Sequence, residues 1–145
     1  MYKNILIAID GSDLALKAVD HGLALAKALD AKVIAMTATE SWTSTAFGEM
    51  PMAFPIEDYE KGCADGAAMI LSAVTKRADQ AGVSCQLLHV KDHHPADGII
   101  ETANLKGCDL IVMASHGRRG LSRLLLGSQA NAVVTHSTVP VLICR

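Results

Sequence analysis

The sequence has few aromatic residues, no basic excess and no pair of cysteines at a metal-binding spacing. Phe, Trp and Tyr make up 3% of its 145 residues, although 50% of the residues are hydrophobic. The apolar content is mostly Ala, Leu, Val and Ile, which suits helices packed closely on a buried sheet. A chain of this length is expected to form one domain, residues 1–145, that is stable without metal or disulfide bonds.

The low net charge and the lack of long apolar runs also limit the kinds of partner that the protein is expected to bind. The formal net charge is −2, and the densest basic cluster is Arg118, Arg119 and Arg123. A nucleic-acid-binding domain usually carries a clustered basic face, so no nucleic-acid partner is expected. The first apolar run, Ile5 to Ile9, is too short for a signal-peptide core, and no run approaches the roughly 20 residues that cross a membrane. We therefore expect a cytoplasmic protein without a membrane partner.

The four cysteines are scattered, with no CxxC pair and no zinc-type spacing, so they are interpreted as small buried hydrophobes in a reducing compartment. They are Cys63, Cys85, Cys108 and Cys144.

Strand-like and helix-like segments alternate along the chain, with Gly, Pro or Ser at their boundaries. The predicted strands are 4–9, 32–39, 83–90, 109–114 and 139–144. The predicted helices are 14–29, 58–81, 95–106 and 128–136. This alternation predicts an α/β fold: a single-domain, open, doubly wound, five-stranded parallel sheet with helices on both faces, Rossmann-like in type.

The sequence does not give the order of the strands. Sheets of this kind bind ligands outside the carboxyl ends of their strands, where the strand order reverses. The loops after Ile9, Thr39, Val90 and Ala114 face that edge.

The connection from Glu40 to Ile56 is long for a compact domain. It is either a disordered excursion or a partly ordered lid or contact surface, and its Trp, Phe and Met content favours the second interpretation.

A segment near the C-terminus has the features of an anion-binding loop. It leaves an apolar strand, passes Gly117 and Gly127, which nine residues separate, and enters a helix at Ser128. Glycines allow backbone amides to approach a phosphate, and a helix N-terminus supplies free N–H groups. The same residues also fit two turns and a helix cap. No GxxxxGK[ST] occurs, and no GxGxxG follows the first strand.

With SHGRRG and LLLGS at this loop, ILIAIDGS at the start and STVPVLIC at the end, the chain resembles the universal stress protein family over its full length. ATP-binding members carry a glycine, two residues, a glycine, nine residues, then glycine and Ser or Thr. Gly117, Gly127 and Ser128 match this pattern, whereas Ala114 replaces the first glycine. Whether Ala114 weakens nucleotide binding stays open.

The resemblance implies ATP, with Mg, as the cofactor. It implies that Asp10 lies near the ribose and metal, that the backbone of Ala38 meets the adenine, and that the glycine loop holds the phosphates. Asp10 also fits a simple turn before Gly11, and the loop arginines are as easily solvated as phosphate-bound. The implied nucleotide-binding residues are Asp10, Ala38, Met113, Ala114, Gly117, Arg118, Arg119, Gly127, Ser128 and Gln129.

The resemblance further implies a stress-response regulatory protein in which nucleotide occupancy modulates conformation, dimer assembly or the binding of an unidentified protein partner. The apolar last strand, Val139 to Cys144, is expected to pair with its copy in a homodimer. Two alternatives stay open: a slow ATPase or phosphotransferase, although no general base is evident, and a nucleotide-free interaction protein, which Ala114 favours. His89, His93, His94 and Asp92 lack the spacing of a metal site, and no metal ligand is predicted.

Overall fold

The computed structural model describes residues 1–43, 55–117 and 125–145, and within these ranges five strands alternate with four helices. The strands are β1 (Asn4–Ala8), β2 (Lys32–Ala38), β3 (Cys85–Val90), β4 (Leu110–Ala114) and β5 (Val141–Cys144). The helices are α1 (Asp13–Leu29), α2 (Ile56–Ala81), α3 (Pro95–Leu105) and α4 (Ser128–His136). The predicted alternation of elements is confirmed. None of the described helices has the length and hydropathy needed to cross a bilayer.

Two strands begin two residues later than the sequence predicts, and both differences have local causes. Gly82 adopts the left-handed conformation (φ 68°). The amide of Val83 still donates to the carbonyl of Ala78 at 3.0 Å, which completes the C-terminal cap of α2. Near the end of the chain, the amide of Val139 donates to the Ser137 hydroxyl at 3.0 Å, so this residue belongs to a turn and not to β5.

The sheet is parallel throughout, with the strand order β3-β2-β1-β4-β5. The chain winds outward from β1 to β3 and then returns to lay β4 on the other side of β1. The order therefore reverses between β1 and β4, and the carboxyl ends of these two strands border a crevice. The predicted doubly wound sheet is confirmed, and the reversal point lies between β1 and β4.

Helices cover both faces of the sheet. Side chains of β1 alternate between two cores: Ile5 and Ile7 face α1 and α2, whereas Leu6 and Ala8 face α3 and α4. Three of these side chains, on Ile5, Leu6 and Ile7, are fully buried. Burial of an aliphatic side chain of this size contributes about 1.5–3 kcal/mol. The continuous apolar run of β1 is thus explained by burial on both faces.

Helix α1 lies directly over the boundary between β1 and β4. A Cβ built on Gly22 would come within 2.5 Å of Ile7 Cδ1 and 3.6 Å of Val112 Cγ1. Ile7 and Val112 are partners across the β1–β4 pairing. Glycine at position 22 therefore lets the helix approach the two strands that flank the crevice.

We predict that Gly22→Ala lowers the free energy of unfolding by about 1–3 kcal/mol, because the added methyl overpacks a closed core. Gly66→Ala is the matched control. It lies within α2, where an added Cβ meets nothing within 4 Å, and it should stabilise the protein by about 0.5–1 kcal/mol. Urea unfolding followed by circular dichroism, at one protein concentration without nucleotide, measures both. Equal stability of the two variants would contradict the close approach of α1.

Candidate functional site

The loop after β1 places a carboxylate at the crevice. The amide of Ile9 donates to the carbonyl of Met36 at 2.9 Å, which continues the sheet one residue beyond β1. Asp10 follows, and its Oδ1 accepts from the amide of Ser12 at 2.9 Å. Gly11 adopts φ 84°, a conformation that favours glycine. This turn aims the chain into α1, whose first turn Ser12 caps by accepting from the amide of Ala15 at 3.2 Å.

The segment after β4 is anchored to both neighbouring elements. The amide of Ser115 donates to the carbonyl of Cys144 at 2.8 Å, and the Ser115 carbonyl accepts from the amide of Gly127 at 2.7 Å. Ser115 is buried, and its hydroxyl is hydrogen-bonded to His116 Nδ1 at 3.0 Å. These bonds return the chain to the end of β4 before α4 begins. Arg118 and Arg119, predicted beside the phosphates, lie outside the described residues.

A Cβ would crowd a neighbouring group at each of the two matching glycines. A Cβ on Gly117 would collide with Oδ2 of Asp10, which comes from the other side of the strand-order reversal. A Cβ on Gly127 would lie 3.0 Å from the Ser115 carbonyl oxygen and 3.3 Å from the Cα of His116. Neither glycine has a left-handed φ, so space and not backbone conformation calls for glycine at these positions.

The N-terminus of α4 opens onto the same edge. Gly127 is its N-cap residue and offers no side-chain hydrogen bond to the first turn. The amide of Asn131 donates to the carbonyl of Gly127, whereas the amides of Ser128, Gln129 and Ala130 precede the first intrahelical bond. Such amides and the helix dipole favour an anion by about 0.3–1 kcal/mol, and by up to about 2 kcal/mol in partly buried sites.

Ala114 fits its position without strain. It is the last residue of β4, it is buried at 8% exposure, and its φ is not positive. Its side chain packs with the α1 face of the core, whereas that of Met113 packs on the α3 and α4 face. The backbone geometry thus accepts alanine where the family pattern has glycine.

The carboxyl ends of β2 and β3 lie at the same edge of the sheet as the crevice. Ala38 is the last residue of β2, and the amide of Thr39 donates to the carbonyl of Val90 at 2.9 Å. The Thr39 hydroxyl is hydrogen-bonded to His89 Nε2 at 2.8 Å. The amide of His93 donates to the Thr39 carbonyl at 3.3 Å. Sequence reasoning missed this cross-strand polar group, because His89 is remote from Thr39 in the chain.

The connection after β2 is attached to two other elements. The carbonyl of Glu40 accepts from the Tyr59 hydroxyl at 2.9 Å, and its carboxylate is hydrogen-bonded to His94 Nδ1 at 3.2 Å. Trp42 follows and is half-buried. The connection from Glu40 to Ile56 is therefore attached at its first residue, while positions 44–54 lie outside the described residues.

The structure brings Asp10, Gly117, Gly127 and Ser128 to the crevice between β1 and β4, and it sets Ala38, Met113 and Ala114 at the same edge of the sheet. The side chain of Gln129 points elsewhere: its Oε1 accepts from the amide of Ala96 in α3 at 3.0 Å. Within the described ranges, no group of three or more His, Cys, Asp or Glu side chains is arranged to hold a metal ion.

The pKa values of two histidines beside this edge are shifted in opposite directions. Hydrogen bonds to the Lys91 carbonyl and to the Glu101 carboxylate, each 2.7 Å long, raise the pKa of His93. Both ring nitrogens of His93 thus face acceptors, which the protonated ring satisfies. Burial, followed by the charge of Lys91, lowers the pKa of His89.

Comparisons with known proteins show which family the sequence resembles. A family model described as the universal stress protein family matches residues 1–145. Universal stress protein MJ0531 of Methanocaldococcus jannaschii is 34% identical over 145 residues, which cover 100% of this chain and 83% of that protein. Universal stress protein YxiE of Bacillus subtilis is 34% identical over 152 residues, which cover 100% of both chains.

Solved structures share the fold. A universal stress protein in complex with cAMP has 29% identity and a TM-score of 0.72, over 98% of this chain and 95% of that one. The hypothetical protein MJ0577 has 26% identity and a TM-score of 0.83, over 99% of this chain and 96% of that one. A universal stress protein from Archaeoglobus fulgidus in complex with dAMP has 20% identity and a TM-score of 0.73, over 99% of this chain and 98% of that one.

We predict that His93 titrates above the ordinary histidine pKa of 6.5 and His89 below it. Because folding raises the His93 pKa, its contribution to stability is fully present below pH 6.5 and is lost as the pH rises through the folded-state pKa. Glu101→Gln should lower the His93 midpoint and leave that of His89 in place. Proton NMR of the imidazole rings measures both, and a His93 midpoint below that of His89 would refute the assignment.

Proposed function

The chain belongs to the universal stress protein family, and from this premise we propose that it is a cytoplasmic, ATP-binding regulatory protein of the stress response. Its nucleotide occupies the crevice between β1 and β4. The observation that carries this proposal is the pair of glycines at the crevice, each at a point where a Cβ would collide with Asp10 or with the Ser115 carbonyl. Glycine at these two positions lets the loop stand against Asp10 and lets α4 begin next to the end of β4, so that the free amides of the α4 first turn lie at the crevice.

The phosphates are proposed to lie on the N-terminus of α4. The amides of Ser128 and Gln129 and the Ser128 hydroxyl supply donors there, and the Gly117 backbone faces the same space from the end of β4. Several such donors together hold a polyanion that one helix terminus binds only weakly. Arg118 and Arg119 belong to the same loop and are proposed to lie over the phosphates.

Asp10 is proposed to serve the ribose and the magnesium ion that accompanies ATP. Its carboxylate stands next to Gly117, and so it borders the space assigned to the phosphates. Mg²⁺ bound to a nucleotide keeps several waters and takes only one or two protein carboxylates, so a single aspartate is a sufficient ligand set. When bound with the nucleotide, the metal would neutralise part of the phosphate charge.

The base is proposed to lie against the ends of β2 and β4, at the backbone of Ala38 and beside Met113 and Ala114. The extended conformation of Ala114 shows only that alanine is accepted at this motif position, because no glycine-only φ is lost there. The related structures with cAMP and dAMP also indicate an adenine nucleotide as the ligand class. Occupancy then acts by changing the protein's conformation, its assembly or its affinity for a partner.

We predict that the purified protein carries ATP, which ion-exchange chromatography of the denatured supernatant identifies. Gly127→Ala should weaken Mg-ATP binding at least about tenfold, because the new methyl stands 3.0 Å from the Ser115 carbonyl and displaces the start of α4. Gly62→Ala, in open space on α2, is the matched control and should bind ATP as the unchanged protein does. Isothermal titration calorimetry measures both affinities.

The same assay separates the alternatives. A mixture of ATP and ADP in the purified protein would favour slow hydrolysis, and turnover assays would follow. No bound nucleotide, together with no thermal shift at millimolar Mg-ATP, would refute the proposal and leave a nucleotide-free interaction protein.

We also propose that the protein forms a homodimer through its C-terminal strand. β5 is the last strand of the sheet order, and Leu142 on it is 38% exposed although it is apolar. An apolar edge strand invites pairing, and a two-fold axis lets one strand cover its own copy.

Leu142→Lys should therefore convert the dimer to a monomer, because like charges would meet across the two-fold axis. Leu105→Lys, on the exposed face of α3, is the matched control and should leave the assembly unchanged. Light scattering after size-exclusion chromatography gives the mass of each. A dimeric Leu142→Lys protein, or an unchanged protein that is monomeric, would exclude pairing through β5.

A further inference from the structure

The first turns of α3 and α4 are joined by one side chain. Oε1 of Gln129 accepts from the backbone amide of Ala96 at 3.0 Å, across 33 residues of sequence. Gln129 is the second residue of α4, and Ala96 is the second residue of α3. The bond therefore runs between two helix N-termini and not along one helix.

Helix α3 needs an acceptor at this point. Its N-cap residue, His94, makes no side-chain cap hydrogen bond, and its first residue, Pro95, has no amide hydrogen. The amide of Ala96 is then the first donor of the helix, and Gln129 supplies the acceptor that a Ser or Asp at the N-cap usually provides. A side chain of α4 thus caps α3.

The first turn of α3 is also packed against the end of β2. A Cβ on Gly98 would meet the Cβ of Ala38 at 3.5 Å and the Cβ of His93 at 3.3 Å. Ala96 and Ala130 are 7% and 2% exposed and belong to the same buried cluster, so the two first turns lie close together. Through Gln129, α4 is therefore connected to the strand end at which we place the adenine.

We propose that Gln129 is a positioning residue for the nucleotide, an inference that rests on the proposed function. Its side chain is anchored on α3, and the same residue contributes one of the backbone amides of the α4 first turn. The anchor fixes the direction of the Ser128 and Gln129 amides relative to the base end of the crevice. These amides then point at the phosphates without further ordering when ATP binds.

The test compares ATP with adenosine, which fills the base end but has no phosphates. Gln129→Met keeps the length of the side chain and removes the acceptor. It should weaken Mg-ATP binding about tenfold, since the Ala96 amide loses its partner and the α4 turn loses its anchor. Adenosine affinity, measured by NMR titration, should stay within about twofold. Asn131→Met, at an exposed position on the same helix, is the matched control and should change neither affinity.

A second measurement uses the unchanged protein and so does not depend on the folding of a variant. Because the anchor is in place before ATP binds, the Ala96 amide should be protected from hydrogen exchange in the nucleotide-free protein and should keep that protection with Mg-ATP; an Ala96 amide that becomes protected only when ATP is added overturns the inference. Equal losses of ATP and adenosine affinity in Gln129→Met would indicate a merely structural role and overturn it too. Undiminished ATP binding by that variant overturns the inference alone, whereas failure of the unchanged protein to bind ATP refutes the proposed function and the inference with it.

Discussion

The hydrogen bond from the Gly127 amide to the Ser115 carbonyl is the constraint on which the candidate site depends. It is 2.7 Å long and closes the segment between β4 and α4 into a loop whose two ends meet. The start of α4 is thereby fixed next to the end of β4. Because the amide of Ser115 also donates to the carbonyl of Cys144, the start of this loop is held next to β5 as well. A helix dipole that would otherwise face solvent is directed at the crevice.

The sheet supplies the other half of the arrangement. The reversal of strand order between β1 and β4 leaves the ends of these strands without a crossover above them. Asp10 and Gly117 come from the two sides of this reversal and stand against one another. On one face of the sheet, α1 packs closely against the same two strands at Gly22. Packing in the core and geometry at the crevice are therefore set by the same two strands.

Local patterns predict most of the fold, because each element carries its own signals. The apolar run of β1, the cap residue Ser12 and the terminating Gly82 each act within a few residues of the chain. Contacts between distant segments depend on residues far apart in the chain, so local patterns do not predict them. The sequence does not indicate the strand order or the bond from Gln129 to Ala96, and the space around Gly117 follows only once Asp10 is placed beside it. The burial of the Ala114 side chain on the α1 face likewise required the structure, because it depends on elements distant in the chain.

The attachment of Glu40 to α2 and to His94 has an optical consequence. Trp42, the one tryptophan of the chain, stands two residues from this attachment and four residues beyond the end of β2. The indole emission of the protein thus comes from a single place, next to the edge of the sheet where the crevice opens. A ligand or partner that rearranges this connection changes the polarity around one fluorophore, with no second tryptophan to dilute the signal. The scarcity of aromatic residues gives the protein a built-in spectroscopic reporter.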